Sequence, residues 1–259
     1  MGENEQGGML RVVVVVALVA IIGISVIFAT VKLGSTSQSQ TNNVATSISA
    51  KIDEAQGKVP SITNDSNDGQ YVYQFNDQNK TAKLSHYSAQ KGGRNVIVPT
   101  KVRKNGVDYI VTSIDQATFM YTYLTSVAIP DTVTSIGDRA FMGNQLTTVK
   151  LPANLKSIGS QAFQDNQISS IIWPKSLTYM AVQAFMYNKL SSLDIPNGVT
   201  YIDSDAFAHN NLTNVSFPDT ITGIYGGAFT SNNISKVSVP SAVTSPEKAF
   251  DENVTISTK

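Results

Sequence analysis

Residues 140–159 read Ala140-Phe141-Met142-Gly143-Asn144-Gln145-Leu146-Thr147-Thr148-Val149-Lys150-Leu151-Pro152-Ala153-Asn154-Leu155-Lys156-Ser157-Ile158-Gly159. The pattern recurs with a fixed period. Phe stands at Phe119, Phe141, Phe163, Phe185, Phe207 and Phe229, always at the same spacing, and Phe250 follows one position early. Pro keeps the same period from Pro130 through Pro152, Pro174, Pro196 and Pro218 to Pro240. Apolar columns run in phase with them: Val127, Val149, Ile171, Leu193, Val215 and Val237 in one, Ile129, Leu151, Trp173, Ile195, Phe217 and Val239 in another. A sequence repeat of about 22 residues is the signature of a stacked solenoid.

Within one unit, Val149-x-Leu151 alternates as a strand does, with those two side chains inward and Lys150 outward. Pro152 has no N–H to give a ladder and ends the strand. Leu155 and Ile158 return to the core from the opposite wall, and Ala140-Phe141 fill the turn. A single coil is too thin to fold alone. Stacking at about 4.8 Å pairs each strand with its neighbours and merges the apolar columns into one core. The expected fold is therefore a β-rich, right-handed solenoid of about six to seven 22-residue coils. Trp173, the single Trp, belongs to an inward column and is expected in the core.

Asn144, Asn166, Asn188, Asn210 and Asn232 form a further column, each at the same offset after its Phe, with Asn253 in the last partial unit and Thr122 interrupting the first. An inward Asn at every bend, its amide satisfying backbone groups, accounts for the column as a structural ladder rather than a binding stripe. Phe141, Phe163, Phe185, Phe207 and Phe229 share that structural role.

Working outward, Tyr71 to Phe75 and Thr81 to Leu84 flank a turn and read as a β-hairpin that caps the open end of the stack. Asn95 to Pro99 matches the strand-Pro part of a repeat. The distance from Pro99 to Pro130 exceeds one period, and Asn105-Gly106 marks a type I′ turn in the excess. Residues 70–111 are read as an N-terminal β cap with an insertion hairpin, 112–250 as repeats, and 251–259 as a C-terminal cap strand around Val254 to Ile256.

The N-terminal end has a different character. Val12 to Val31 is an unbroken uncharged run between Arg11 and Lys32. About 20 residues at roughly 1.5 Å each match a hydrocarbon core of roughly 30 Å. Three readings fit: an uncleaved signal anchor, preferred here, a cleaved signal peptide ending near Ala29, and a pilin-like stem preceded by Gly7-Gly8. Against the cleaved form, the run exceeds the usual apolar core of a signal peptide. Against the stem, Val12 and Val13 stand where prepilins carry Glu. The expected topology is a short cytoplasmic N-terminus (1–11), a transmembrane helix (12–31), a polar Ser/Thr/Asn/Gln linker (32–69) and an ectodomain outside the cell.

The repeat resembles the BspA-like leucine-rich repeats of bacteria, whose unit has the form Leu-x-x-Val-x-Leu-Pro-x-x-Leu-x-x-Ile-Gly-x-x-Ala-Phe. The resemblance runs roughly from Asn95 to Phe250, well over half of the chain. Met180-Ala181 replace Ile-Gly, and Ser245-Pro246 depart from the pattern in the last unit. Many units of that family carry Cys where this chain has Asn. The resemblance implies a surface protein that engages host or matrix proteins in adhesion.

The composition agrees with a binding rather than a chemical role. The chain has 259 residues, 15% of them charged, no Cys, two His and no net charge. No Cys means no disulfides or thiol chemistry. His86 and His209 lie in no nucleophile or metal motif, Asp203 and Asp205 flank Ser204 on a turn where solvation is expected, and no phosphate loop is present. No cofactor, metal or enzymatic activity is expected. The neutral total conceals a basic segment, 70–104, with seven Lys or Arg against one Asp. It is read as a solvated end, or one that leans on an anionic envelope, not as a nucleic-acid site.

The expected ligand face is the outward side of the strands: Thr147, Thr148 and Lys150; Ser169 and Ser170; Ser191, Ser192 and Asp194; Thr213, Asn214 and Ser216; and Lys236. It is polar and nearly uncharged. A second surface is an apolar ridge at the turns, formed by Met120, Tyr121, Met142, Met186, Tyr187 and His209. The expected function is a single-pass protein of the bacterial cell membrane whose monomeric ectodomain binds a protein, matrix or glycan ligand. The alternative is a pilin-like filament or tip subunit that displays the repeats.

Overall fold

The computed structural model describes residues 69–244 and 246–259. All of them belong to the second of the chain's two units, Val59–Lys259. The expected N-terminus, transmembrane helix and linker lie outside the described residues, as does Ser245. Among the described residues no helix is long and apolar enough to cross a membrane.

The repeats wind into a β-solenoid. It opens with β1 (Tyr71–Asn76), β2 (Thr81–Tyr87), the single helical turn α1 (Ala89–Gly92), β3 (Asn95–Ile97), β4 (Lys101–Lys104) and β5 (Val107–Ile114). Each later coil gives one strand to each of two walls: β6 (Ser126–Ala128) and β7 (Ser135–Ile136), β8 (Thr148–Lys150) and β9 (Ser157–Ile158), β10 (Ser170–Ile172) and β11 (Tyr179–Met180), β12 (Ser192–Asp194) and β13 (Tyr201–Ile202), β14 (Asn214–Ser216) and β15 (Gly223–Ile224). The stack ends with β16 (Lys236–Val239) and β17 (Thr255–Thr258).

Strands of successive coils pair in parallel, each residue beside its counterpart one repeat away, as in Ser170 with Thr148 and Ser192 with Asn214. On the first wall the pairing joins strands in couples: β3–β6, β8–β10, β12–β14 and β16–β17. On the second wall it runs through β2–β5–β7–β9 and again through β11–β13–β15. Two-residue strands are too short to show an alternation, which is why the second wall did not read as strand in the sequence.

The interruption between β9 and β11 falls where Met180-Ala181 replace Ile-Gly. A Cβ on Gly137 would stand 2.6 Å from the backbone N of Gln116, and one on Gly159 2.4 Å from that of Asp138. The backbones of successive coils therefore meet closely at this column. Ala181 brings a methyl into that space, and the ladder stops. It resumes below, where the N–H of Asp203 donates to Met180 O and that of Tyr225 to Ile202 O, both at 2.9 Å.

The third side of each coil is a turn, and it too is a ladder. The N–H of Arg139, Phe141 and Gly143 donate to the carbonyls of Ser160, Ala162 and Gln164 in the next coil, at 2.8–3.0 Å. The same set recurs from coil to coil. Two residues per turn take positive φ to aim these groups, as Arg139 (56°) and Gly143 (69°) do. Inside the turn the Phe rings stack. Phe119 to Phe141, Phe141 to Phe163 and Phe163 to Phe185 have centroids 5.0, 5.1 and 5.2 Å apart and planes within 7°. The column continues through Phe207 and Phe229 to Phe250. Tyr87 heads it, tilted on Phe119 at 5.0 Å, so the cap supplies an extra coil in which Tyr replaces Phe.

The Asn column bridges coils. Asn166 Nδ2 donates to Phe141 O at 2.9 Å and Phe163 O at 3.2 Å, while its Oδ1 accepts the N–H of Leu146 at 3.2 Å. Asn144, Asn188, Asn210 and Asn232 repeat the arrangement. Thr122 joins the top of this ladder instead of breaking it, since its hydroxyl donates to Phe119 O and to Asn144 Oδ1. Asn253 is exposed and takes no part. At that end Asp251 Oδ1 accepts the N–H of Ser231 at 3.0 Å.

The caps use the expected segments. β1 and β2 form an antiparallel hairpin, and β4 and β5 another across Asn105-Gly106, both of which have positive φ (51° and 78°). β5 then continues into the second wall, pairing with β7 at Ser113 and Ile114. Trp173 departs from expectation. It is only partly buried, its ring edge-on to Phe185 at 5.4 Å. Replacing Asn166 by Ala orphans the Leu146 N–H, at a cost of about 1–3 kcal/mol for a buried unpaired group, while Phe141 O and Phe163 O keep the amides of Asn144 and Asn188. Urea unfolding of the repeat domain should show a loss in that range for Asn166→Ala. Asn166→Asp, which cannot donate when ionised, should lose more.

Candidate functional site

The first wall carries all twelve residues expected on the ligand face. Thr147, Thr148, Lys150, Ser169, Ser170, Ser191, Ser192, Asp194, Thr213, Asn214, Ser216 and Lys236 are all exposed on the outward side of the strands. Val149, Leu193, Val215 and Val237 between them are buried, as strand alternation requires. Ile172, 60% exposed, is the apolar member of this face. Towards the C-terminal end, where β14 and β16 do not pair, a shallow groove of about 550 Å³ opens between Asn214, Ser216, Lys236, Ser238 and Ser257. Lys259 at its edge is tied down: its Nζ donates to Phe217 O at 2.9 Å and pairs with Asp219 at 2.8 Å.

The turn ridge is present but discontinuous. Tyr121 lies across Gly143, where a Cβ would stand 2.1 Å from its ring. Tyr187 stacks on His209 with centroids 4.3 Å apart and planes at 14°. Asp165 separates the two groups in the column. Beside the ridge runs a polar ladder. Arg139 Nε donates to Gln161 Oε1 at 2.6 Å, Gln161 Nε2 to Gln183 Oε1 at 2.8 Å, and Gln183 Nε2 to Asp205 Oδ2 at 3.3 Å. A cation heads this chain and an anion ends it, so each amide is oriented by its neighbours.

The second wall holds a feature that the sequence reading passed over. Its outward positions are Ser135, Ser157, Tyr179, Tyr201 and Gly223, and a little further along the last two coils Asp203 and Tyr225, at the place held by Gly137, Gly159 and the buried Ala181 in the coils before them. The first two coils are therefore smooth and the next three aromatic. Tyr179, Tyr201 and Tyr225 are 41%, 43% and 50% exposed. The Tyr179 hydroxyl donates to Asp203 Oδ2, and Asp203 Oδ1 accepts the Ser204 N–H at 2.7 Å. Asp203 is thus an organised acceptor rather than a solvated turn residue. Partial burial and then the Asp203 carboxylate push the Tyr179 phenol up to about 12. The available signal was the spacing of Tyr179 and Tyr201 by one repeat.

The basic segment is largely occupied within the cap. Arg103 and Lys101 both bind Asp108 and hold its carboxyl down at about 2, and Lys83 pairs with Asp115 at 3.0 Å. Lys80 sits over the Tyr109 ring and Lys104 over that of Phe75, at 5.5 and 4.7 Å. Among the described residues, no three His, Cys, Asp or Glu side chains come together as metal ligands.

A family profile described as the BspA type leucine rich repeat region matches residues 112–235 and 179–258, in six copies. The chain belongs to this family. The BspA-type repeat accounts for the Phe turn, the strand-Pro wall and the second wall together. A leucine rich cell surface protein of Faecalibacterium prausnitzii is 29% identical with a TM-score of 0.59, over 74% of this chain and 53% of that one. This chain therefore spans about half the length of that relative. The leucine rich repeat protein of T. pallidum shares the fold at 22% identity and a TM-score of 0.51, over 67% of this chain and 85% of its own. Among curated proteins none matches.

The Tyr179–Asp203 contact has a pH signature. A phenol whose folded pKa is raised contributes stability that is complete below its unfolded value of 10.0 and lost as the pH climbs through about 12. In ultraviolet titration of phenolate formation, Asp203→Asn should bring one tyrosine down towards 10. Tyr179→Phe should remove that late-titrating group. An unchanged titration in Asp203→Asn would contradict the contact.

Proposed function

We propose that this chain is a bacterial cell-surface protein, anchored by residues 12–31, whose leucine-rich-repeat domain binds a protein or matrix partner without catalysing a reaction. The observation that carries the reading is the first wall. Twelve outward side chains stand exposed on one regular face, at the same positions in successive coils. A flat polar sheet of this kind offers complementarity over a large area rather than a pocket for a small molecule. Membership of the BspA-type family and the surface location named for the F. prausnitzii relative support the same reading.

The anchor rests on the run between Arg11 and Lys32, which carries no charge from Val12 to Val31. The polar linker to residue 69 holds the repeats away from the bilayer. The repeat domain then faces outward as a monomer and takes its partner on the strand face.

Two measurements test this together. Washing membranes with alkaline carbonate should leave the full chain in the pellet, and deleting residues 12–31 should release it. Release of the intact chain would exclude the anchor. In capture from the surrounding medium by immobilised full chain, changing Ser192 and Asp194 to Arg should abolish recovery of the partner, while Tyr187→Ala should leave it intact. The reverse pattern would move binding from the strand face to the turn ridge.

A further inference from the structure

The aromatic part of the second wall is coextensive with the β11–β13–β15 sheet. Along β13, Ile202 is buried while Tyr201 and Asp203 point to the other side. Along β15, Ile224 is buried while Tyr225 points out. Gly223 gives Tyr201 its seat: a Cβ there would come within 2.6 Å of the ring. The ring lies against the wall and turns its other face to solvent. Tyr225 stands 6.4 Å away, tilted by 31°. The result is a shallow aromatic platform with one carboxylate in it.

The charge of that platform is uncompensated. The ion pairs among the described residues use Asp108, Asp115 and Asp219, and none uses Asp203. Both Asp203 oxygens already accept a hydrogen bond, from Tyr179 and from Ser204. The site therefore offers negative charge and negative ring faces more than free directional hydrogen bonds. That combination suits a cation that stacks. Arginine fits it better than lysine, because its planar guanidinium can lie on a ring and pair with a carboxylate at once.

We propose that Tyr201, Tyr225 and Asp203 form a docking site for an arginine-bearing basic peptide segment, separate from the strand face. The proposal rests on the reading of the repeat domain as a binding module and adds a second surface and the chemistry of what it takes. Tyr179 is a positioning residue that orients the Asp203 carboxylate through its hydroxyl.

The test uses the full chain in mild detergent and a short fluorescent peptide of alternating arginine and serine, followed by anisotropy. The peptide should bind, more weakly as salt rises. Tyr201→Ala and Tyr225→Ala should each weaken it about two- to fivefold, the range expected of an exposed cation–π contact. Tyr201→Phe should retain binding, which separates loss of the ring from loss of the fold. Asp203→Asn should weaken binding more than Asp194→Asn, the same charge change on the strand face. No binding, or equal effects of Asp203→Asn and Asp194→Asn, would overturn the proposal. Capture of a neutral oligosaccharide that depends on Tyr201 while the arginine peptide does not bind would also overturn it, assigning the wall to a glycan. In all these cases partner capture through Ser192 and Asp194 is a separate readout, so the strand-face reading stands or falls by itself.

Discussion

No coil of this solenoid can satisfy its own backbone. Each turn leaves N–H and C=O groups along the stack axis, and a buried unpaired group costs about as much as a lost hydrogen bond. An inward Asn resolves this at five successive bends, and Thr122 stands in its place at the first. Asn188 donates to Phe163 O in the coil above and Phe185 O in its own, and it accepts the Ile168 N–H. Two of these three contacts cross the boundary between coils, so a coil is complete only when stacked. The Asn ladder and the backbone bonds of the turns hold the coils in one register, with ring over ring at 5.0–5.7 Å.

The ends follow from the same constraint. The first turn needs a partner above it, and Tyr87 with the hairpin of β1 and β2 supplies a coil that lacks the repeat sequence but keeps its geometry. The last needs acceptors below it, and Asp251 provides one. Between the ends, what the coils do not need for stacking is free to vary. Lys150, Ile172 and Asp194 share one outward position of the first wall, and Ser157, Tyr179 and Tyr201 share one of the second. Those positions differ from coil to coil, while the buried columns repeat.

Much of the frame was legible beforehand because a buried column must repeat. Phe, Pro and Asn recurring with one common period, with two apolar columns between them, were enough to define the coil, its inward face and the polar outward face. What escaped has physical reasons. Two-residue strands carry no alternation, so Leu155 and Ile158 mark the opposite wall without showing that it is strand. The ladder break at Ala181 depends on how closely Gly137 and Gly159 let coils approach, a distance that no residue type states. Trp173 reads as core by its column, yet it packs against the core only partly buried. The tyrosine wall carries a weak sequence signal, because only Tyr179 and Tyr201 share a register and Tyr225 belongs with Tyr201 through the glycine seat at Gly223 rather than through the period.

The account depends on Asn side chains, not strand pairing alone, to lock one coil to the next. Hydrogen exchange at the Leu124, Leu146, Ile168, Leu190 and Leu212 amides tests this directly, since each donates to an Asn Oδ1 from the following coil. These amides should exchange among the slowest in the domain, at the rate of global unfolding. Exchange as fast as that of amides on exposed turns would show that the ladder opens locally, and would contradict the claim that it holds the stack together.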